Sequence, residues 1–253
     1  MTTLTKPLIK ISDYPSRDII ITSKKHALEN CGGLSKVSKM RLLNEFGKLI
    51  QVYSYNLPAT ECKVGKILAN VPNSTCSGCY ALGGLYEMYG HNKPGSALYK
   101  RLYHVLHNPL WKYAMVFLIE HAKPIKGIKY FRFHDAGDIQ NEKHLSDILW
   151  ICEQLPQIKF WLPSREHSVI QKYIELGHEI PANLNIRMSA YMNDARPPKF
   201  RINGFTTSTV IKDKKPNYKT WICPATIKNN PKNCGPCTAC WNSKIANVSY
   251  NYH

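Results

Sequence analysis

From Ile128 to Met192 the sequence runs strand, helix, strand, helix, strand, and nothing else in its 253 residues restricts the fold as tightly. "IKYFRFHDAGD" alternates like a strand that ends in a turn, and "NEKHLSDILWICEQL" is a helix that lines up Leu145, Ile148, Leu149, Cys152 and Leu155 on one face. "IKFWLPSRE" is the next strand, "HSVIQKYIELG" a helix stopped by Gly177, and "NLNIRMSAYM" a third strand. Helices of this length between strands make βαβ units, so the class is α/β with a parallel sheet.

The flanks extend that pattern. "LIQVYSYNL", from Leu49, reads as the first strand. Ser96 caps "ALYKRLYHVLH", Asn108 and Pro109 open "LWKYAMVFLIEHAK", and "FRINGFTTSTVI" and "YKTWI" add two late strands. The chain then divides into a basic N-terminal arm over 1–48, a partial α/β barrel over 49–211 and a cysteine-rich tail over 212–253. The arm carries nine basic and four acidic residues without sustained periodicity. The opening residues lack an apolar signal core, and the longest apolar run, Ala114 to Ile119, is too short to cross a bilayer. A soluble, cytoplasmic protein is expected.

Alternation also assigns faces. Phe131 and Phe133 share one face of their strand and Tyr130, Arg132 and His134 the other; Ile186, Met188 and Ala190 oppose Asn185, Arg187, Ser189 and Tyr191. Strands that aim such polar groups away from their helix-facing side enclose a polar cavity. Ligands of α/β barrels gather at the carboxyl ends of strands, where "HDAGD" falls. Two plainer readings stand beside this one: an antiparallel sheet with one wet face, and Asp138 as no more than the introduction to the following helix.

The cysteines carry the chemistry. Nine of them, an odd number with two Cys-x-x-Cys groups, point to metal or redox chemistry in a reducing compartment and away from disulfides. "NCGPCTACW" sets Cys234, Cys237 and Cys240 at the C-x2-C-x2-C spacing of bacterial ferredoxins, and Cys223, followed by Pro224, supplies a fourth thiolate. This set suits a four-iron cluster; zinc, which more often draws on two separated knuckles, is the alternative. Cys62, Cys76 and Cys79 form a C-x13-C-x2-C group after the first strand. Without a fourth cysteine they leave one iron of a second cluster open, or else the Cys-x-x-Cys pair is completed from elsewhere, for instance by His134. Cys152 reads as core, and Cys31 has no evident partner.

The charge suggests the partner. Lys and Arg number 34 against 17 Asp and Glu, and the resulting +17 favours a polyanion, nucleic acid first. Between Asp194 and Lys232, nine basic and two acidic residues are interleaved with Phe200, Phe205, Tyr218 and Trp221. That mixture suits phosphate contact with base stacking, or a solvated face over core aromatics. Two functional expectations follow: an iron–sulfur protein acting on or binding nucleic acid, and a non-enzymatic nucleic-acid-binding protein whose metal sites hold its fold rigid.

A three-cysteine loop after the first strand, the Gly-Asp turn of "HDAGD", the run of βα units and the clustered tail cysteines together resemble the radical S-adenosylmethionine enzymes. The resemblance implies a partial (βα) barrel and a four-iron cluster on Cys62, Cys76 and Cys79 whose open iron holds the methionine moiety of S-adenosylmethionine for reductive cleavage. It implies that Gly137 and Asp138 lie near the cofactor's amino group, with His134 and Asp135 in the same turn, and that Ser164, Arg165, Arg187 and Ser189 line the cavity. The thirteen residues between Cys62 and Cys76 depart from the family's C-x3-C-x2-C spacing. The phrases "CYA", "FRFHDAGD" and "CPAT", over approximately residues 50–241, are also similar to a family of cysteine-rich bacteriophage proteins, which implies the host-cell cytoplasm.

Overall fold

The computed structural model describes residues 21–44, 46–122, 129–200, 205–228 and 233–252. Its strands are β1 (Ser35–Leu43), β2 (Leu49–Tyr55), β3 (Tyr130–Phe133), β4 (Lys159–Ser164), β5 (Leu184–Ser189), β6 (Thr206–Ile211), β7 (Trp221–Ile222) and β8 (Asn247–Asn251). They form one sheet in the order β1-β2-β3-β4-β5-β6-β8-β7. β1 is antiparallel to β2, and every other neighbouring pair is parallel. With β1 and β7 at its edges the sheet stays open and does not close into a barrel.

The helices are α1 (Lys24–Cys31), α2 (Lys63–Leu68), α3 (Gly84–Met88), α4 (Ala97–His107), α5 (Trp111–His121), α6 (Glu142–Gln154) and α7 (His167–Glu175). Ser23, Ser96 and Asn141 cap α1, α4 and α6 by accepting amide hydrogens from His26, Tyr99 and His144. Phe131, Phe133, Phe160, Leu162, Ile186 and Met188 form the sheet's helix-facing core, packed with Ala27, Val105, Trp111, Met115 and Ile148. Each large side chain buried there contributes about 2 kcal/mol. Leu42, Val52, Trp161 and Val248 belong to a second core, shared with Ala239, Cys240 and Trp241. The tail is therefore a layer of the fold.

Several boundaries differ from the sequence expectations. Leu49 does not open the first strand, because Ser35–Leu43 precedes it and pairs with it, Leu43 opposite Leu49. In the described part of the 1–48 arm, α1 and β1 are built into the sheet and its helical layer. The tail does not end as an appendage either. "NVSYN" is β8, whose Thr207–Asn247 to Ile211–Asn251 register places it between β6 and β7.

His134 leaves the face that alternation assigned to it. Its φ of 59° is left-handed, which breaks the two-residue period at the end of β3. Its ring, 2 % exposed, lies 5.3 Å from that of His144 on α6, and both its nitrogens lack a partner. Burial, reinforced by Arg132, holds the His134 pKa down at about 3, and burial also holds His144 well below its usual value. The folded chain therefore keeps both rings neutral where the unfolded chain protonates them. Stability falls as pH drops from about 6.5 toward 3, and His134 accounts for about 2 kcal/mol of the loss at pH 5. His134→Asn, which tolerates the left-handed backbone, is expected to lose about 2 kcal/mol less than the parent between pH 7 and pH 5 in urea titrations.

Candidate functional site: two groups of thiols

Parallel strands deliver their following loops to one edge of the sheet. At this edge lie Cys62, Cys76 and Cys79 after β2, Asp138 after β3, Ser164 and Arg165 at the end of β4, and Tyr191 after β5. The thirteen residues separating Cys62 from Cys76 are ordered. α2 occupies Lys63–Leu68, and the Ser74 hydroxyl donates to Leu68 O at 2.5 Å while accepting from the Cys76 and Ser77 amides. The Thr75 amide then donates to Tyr191 O at 2.8 Å, which docks the loop on the end of β5. Buried Glu166 accepts the Val64 amide at 2.9 Å and pins the start of α2.

Gly65 leaves room for the sulfurs. A Cβ there would lie 3.7 Å from both the Cys62 and the Cys76 Sγ, and 2.9 Å from Cys62 Cβ. Burial pushes the Cys62 thiol far up, the Asp138 carboxylate and the Cys79 and Cys76 thiols add to the shift, and Arg165 opposes it. Burial likewise raises Cys76, with Arg165 opposing and Cys79 adding.

Asp138 accepts from the Ser164 hydroxyl at 2.6 Å and from the Arg165 amide at 2.9 Å, and the Arg165 Nε donates to Thr75 Oγ1 at 2.9 Å. Burial raises the Asp138 pKa to about 6 against those hydrogen bonds. Gly137 lets this turn close, since at φ 85° its Cβ position would lie 2.5 Å from Leu57 Cβ. Three cysteines thus share one edge with a carboxylate and a guanidinium.

The second group is assembled from further apart. The Gly235 amide donates to Arg41 O at 3.1 Å, the Trp241 Nε1 donates to Phe131 O at 2.8 Å, and the Cys223 amide donates to Ser249 O at 2.8 Å. Fully buried Arg187 fastens the loop through Nε to Cys240 O at 3.1 Å and Nη2 to Ala239 O at 2.7 Å and Asn242 O at 3.1 Å. Cys223, Cys234, Cys237 and Cys240 come within electrostatic reach of one another. Burial, and for Cys234 the three other thiols, push Cys234 and Cys240 up to about 12. The Tyr250 hydroxyl lies 3.3 Å from the Cys240 Sγ.

Of the residues singled out in the sequence, Cys62, Cys76, Cys79, Asp138, Ser164 and Arg165 meet at the carboxyl edge, with Gly137 in the same turn as Asp138. Among the tail cysteines, Cys223, Cys237 and Cys240 all bear electrostatically on Cys234. Four others do different work. His134 sits among the helices; the Asp135 carboxylate is taken by Arg132, Tyr86 and Tyr80; Arg187 holds the tail backbone and lines no open lumen; and the Ser189 hydroxyl pairs with that of Ser208 at 3.0 Å. Gly65, Thr75 and Glu166 went unread, and only the position of Thr75, next to Cys76, could have flagged one of them.

Among the described residues, no group of three or more His, Cys, Asp or Glu side chains is placed to hold a metal ion. Among the described residues, too, no helix is long and apolar enough to cross a membrane. No curated protein and no solved structure matches the chain. The family model described as Gene product 88 matches residues 24–246, which takes in α1, the whole sheet up to β8 and both thiol groups. By that match the chain belongs to the Gene product 88 family.

Proposed function

We propose that the protein is an iron–sulfur enzyme of the radical S-adenosylmethionine type, with an open cluster on Cys62, Cys76 and Cys79 and a closed one on Cys223, Cys234, Cys237 and Cys240. The observation that carries this reading is the approach of the Cys62 and Cys76 sulfurs, each 3.7 Å from the Cβ position of Gly65, at the edge where Asp138 is bonded to Ser164 and Arg165. The parallel order from β2 to β6, with the thiol loop after β2 and the Gly-Asp turn after β3, supports a partial-barrel kinship for the open sheet. Bound there, such a cluster supplies single electrons for cleaving a sulfonium. The chain's own part would be to hold the amino acid end of the cofactor: Arg165, anchored through Nε to Thr75 Oγ1, would meet its carboxylate, while the Asp138 carboxylate, bonded by the Ser164 hydroxyl and the Arg165 and Ile139 amides, fixes the turn beside it.

Nucleic acid is the substrate class that the net charge of +17 favours. In the basic stretch after Asp194, Phe200 and Phe205 pack against the core, whereas Trp221 is 48 % exposed and available for stacking.

Protein purified without oxygen and reconstituted is expected to carry about eight irons and eight sulfides per chain, falling to about four of each in Cys237→Ala or Cys76→Ala. With dithionite, the parent and Cys237→Ala should cleave S-adenosylmethionine and Cys76→Ala should not. A colourless protein holding zinc alone would sink the proposal and favour a metal-stabilised binding protein, recognised by salt-dependent nucleic-acid affinity without cleavage.

A further inference from the structure

The connection between β2 and β3 leaves a cluster of apolar surface in water. Tyr80, Leu82, Leu85, Met88 and Tyr89, all within one short segment around α3, are 36 to 66 % exposed. Scattered singly such residues need no explanation, whereas a cluster marks a surface that something covers. Four rings form a row along this segment. Their centroids are 6.2 Å apart from Tyr80 to Tyr86, 5.6 Å from Tyr86 to His91 and 5.9 Å from His91 to Tyr89.

The row is held in place from the sheet side. The Tyr80 hydroxyl donates to Asp135 O, the Tyr86 hydroxyl donates to Asp135 Oδ2 at 3.1 Å, and Arg132 Nη1 donates to Asp135 Oδ1 at 2.7 Å. His91 is fixed through its backbone: its amide donates to Tyr86 O at 2.8 Å and its carbonyl accepts the Ser96 hydroxyl at 2.7 Å. Rings anchored in this way lose little further freedom when a planar partner settles on them.

The charge around the row selects that partner. From Lys63 to His107 the lysines Lys63, Lys66, Lys93 and Lys100 are exposed, and Glu87 is the one exposed acid. The Lys93 side chain passes 3.6 Å from the Cβ position of Gly90, which lies between Tyr89 and His91 in the chain. The Asp135 carboxylate is offset by Arg132. An apolar protein segment would cover Leu85 and Met88 but leave the lysines unanswered, and a duplex hides the faces of its bases. A single strand offers both unstacked bases for the rings and phosphates for the ammonium groups.

We propose that Tyr80, Tyr86, His91 and Tyr89, with Lys93 beside them, form a stacking platform for single-stranded nucleic acid. This rests on the nucleic-acid part of the reading above and requires no metal. Tyr80 directly follows Cys79 and is bonded to the turn after β3, so a strand laid along the row reaches the edge of the sheet where Asp138 and Arg165 stand.

The test titrates the full chain, as purified, into fluorescein-labelled oligothymidylate and follows anisotropy at several salt concentrations. Tyr89→Ala is expected to weaken binding about tenfold at an unchanged urea midpoint, and Tyr89→Phe to stay within about twofold of the parent. Lys93→Gln should weaken binding and reduce the slope of log affinity against log salt by about 0.7, the contribution of one phosphate on a single strand. Parent affinity in Tyr89→Ala, or a duplex bound as tightly as the single strand, overturns the platform and leaves the nucleic-acid reading standing. A parent that binds no oligothymidylate at low salt overturns both, whatever its iron content. Self-association that Tyr89→Ala abolishes at unchanged oligothymidylate affinity would mean that a second copy covers the patch, and also overturns the platform. Should a variant misfold, photocrosslinking the parent to a strand carrying 5-iodouracil decides: adducts within residues 80–91 support the platform, and adducts confined to other segments overturn it.

Discussion

Arg187→Met is expected to lower the unfolding free energy by about 3 to 5 kcal/mol, measured as a fall in the urea midpoint at unchanged slope. The guanidinium is fully buried and donates to Ala239 O, Cys240 O, Asn242 O and Thr207 O. Methionine fills much of the same volume and supplies none of those donors. Cys240 O keeps the Asn185 amide at 2.7 Å, Ala239 O the Asn242 amide at 3.2 Å and Asn242 O the Ile245 amide at 3.1 Å, so the loss is that of the charge-assisted bonds themselves, and a hydrogen bond to a charged group contributes about 1.5 to 3 kcal/mol. Against a total stability of about 5 to 15 kcal/mol the loss is a large fraction. Lysine does not repair it, because one ammonium cannot span four carbonyls. The loosened loop should also let a thiol reagent reach Cys240 faster than in the parent. Ser189→Ala is the contrast: it removes one neutral hydroxyl bond to Ser208 and should cost about 1 kcal/mol.

Gly137→Ala is the second large effect, about 3 kcal/mol by the same measurement. Two penalties add at this position. The φ of 85° puts an L side chain in a disfavoured region, at about 1 to 2 kcal/mol, and the new methyl meets Leu57 Cβ at 2.5 Å and Leu57 O at 2.9 Å. Leu57 cannot step back, since its amide donates to Ala136 O at 3.0 Å and its side chain is wholly buried. The turn must give instead, and it carries Asp138. Gly95→Ala separates the two penalties, because Gly95 has φ 84° with nothing within 4 Å of its Cβ position, and should cost only about 1 to 2 kcal/mol. A Gly137→Ala protein as stable as Gly95→Ala would mean that the Leu57 contact relaxes freely.

The parts of this fold that could be read from residues alone are those in which local pattern and final environment agree. α4, α6 and α7 have apolar periodicity and clear starts, with Ser96 and Asn141 capping as their residue types suggest, whereas α5 begins at Trp111 after Leu110 with no side-chain cap, two residues beyond the Pro109 start read from the sequence. β1 escaped although its partner β2 follows it directly in sequence, with Leu43 opposite Leu49, and β8 escaped because "NVSYN" is held by β6 and β7, both distant in sequence. Alternation assigned Arg132 correctly to the face opposite Phe131 and Phe133, then failed two residues later, where a left-handed residue resets the period. The thiol groups were legible from spacing, yet their supports were not. Nothing in the sequence around Arg187 distinguishes a guanidinium that braces carbonyls from one that lines a lumen.

The position of β8 between β6 and β7 has a consequence for synthesis. Among the described residues β7 pairs with β8 alone, and the Cys223 amide is tied to Ser249 O, so Cys223 is not seated until β8 has been made. Cys234, Cys237 and Cys240 emerge earlier and must wait as a trio. A chain cut before Ser249 would thus lose the backbone bond that seats Cys223.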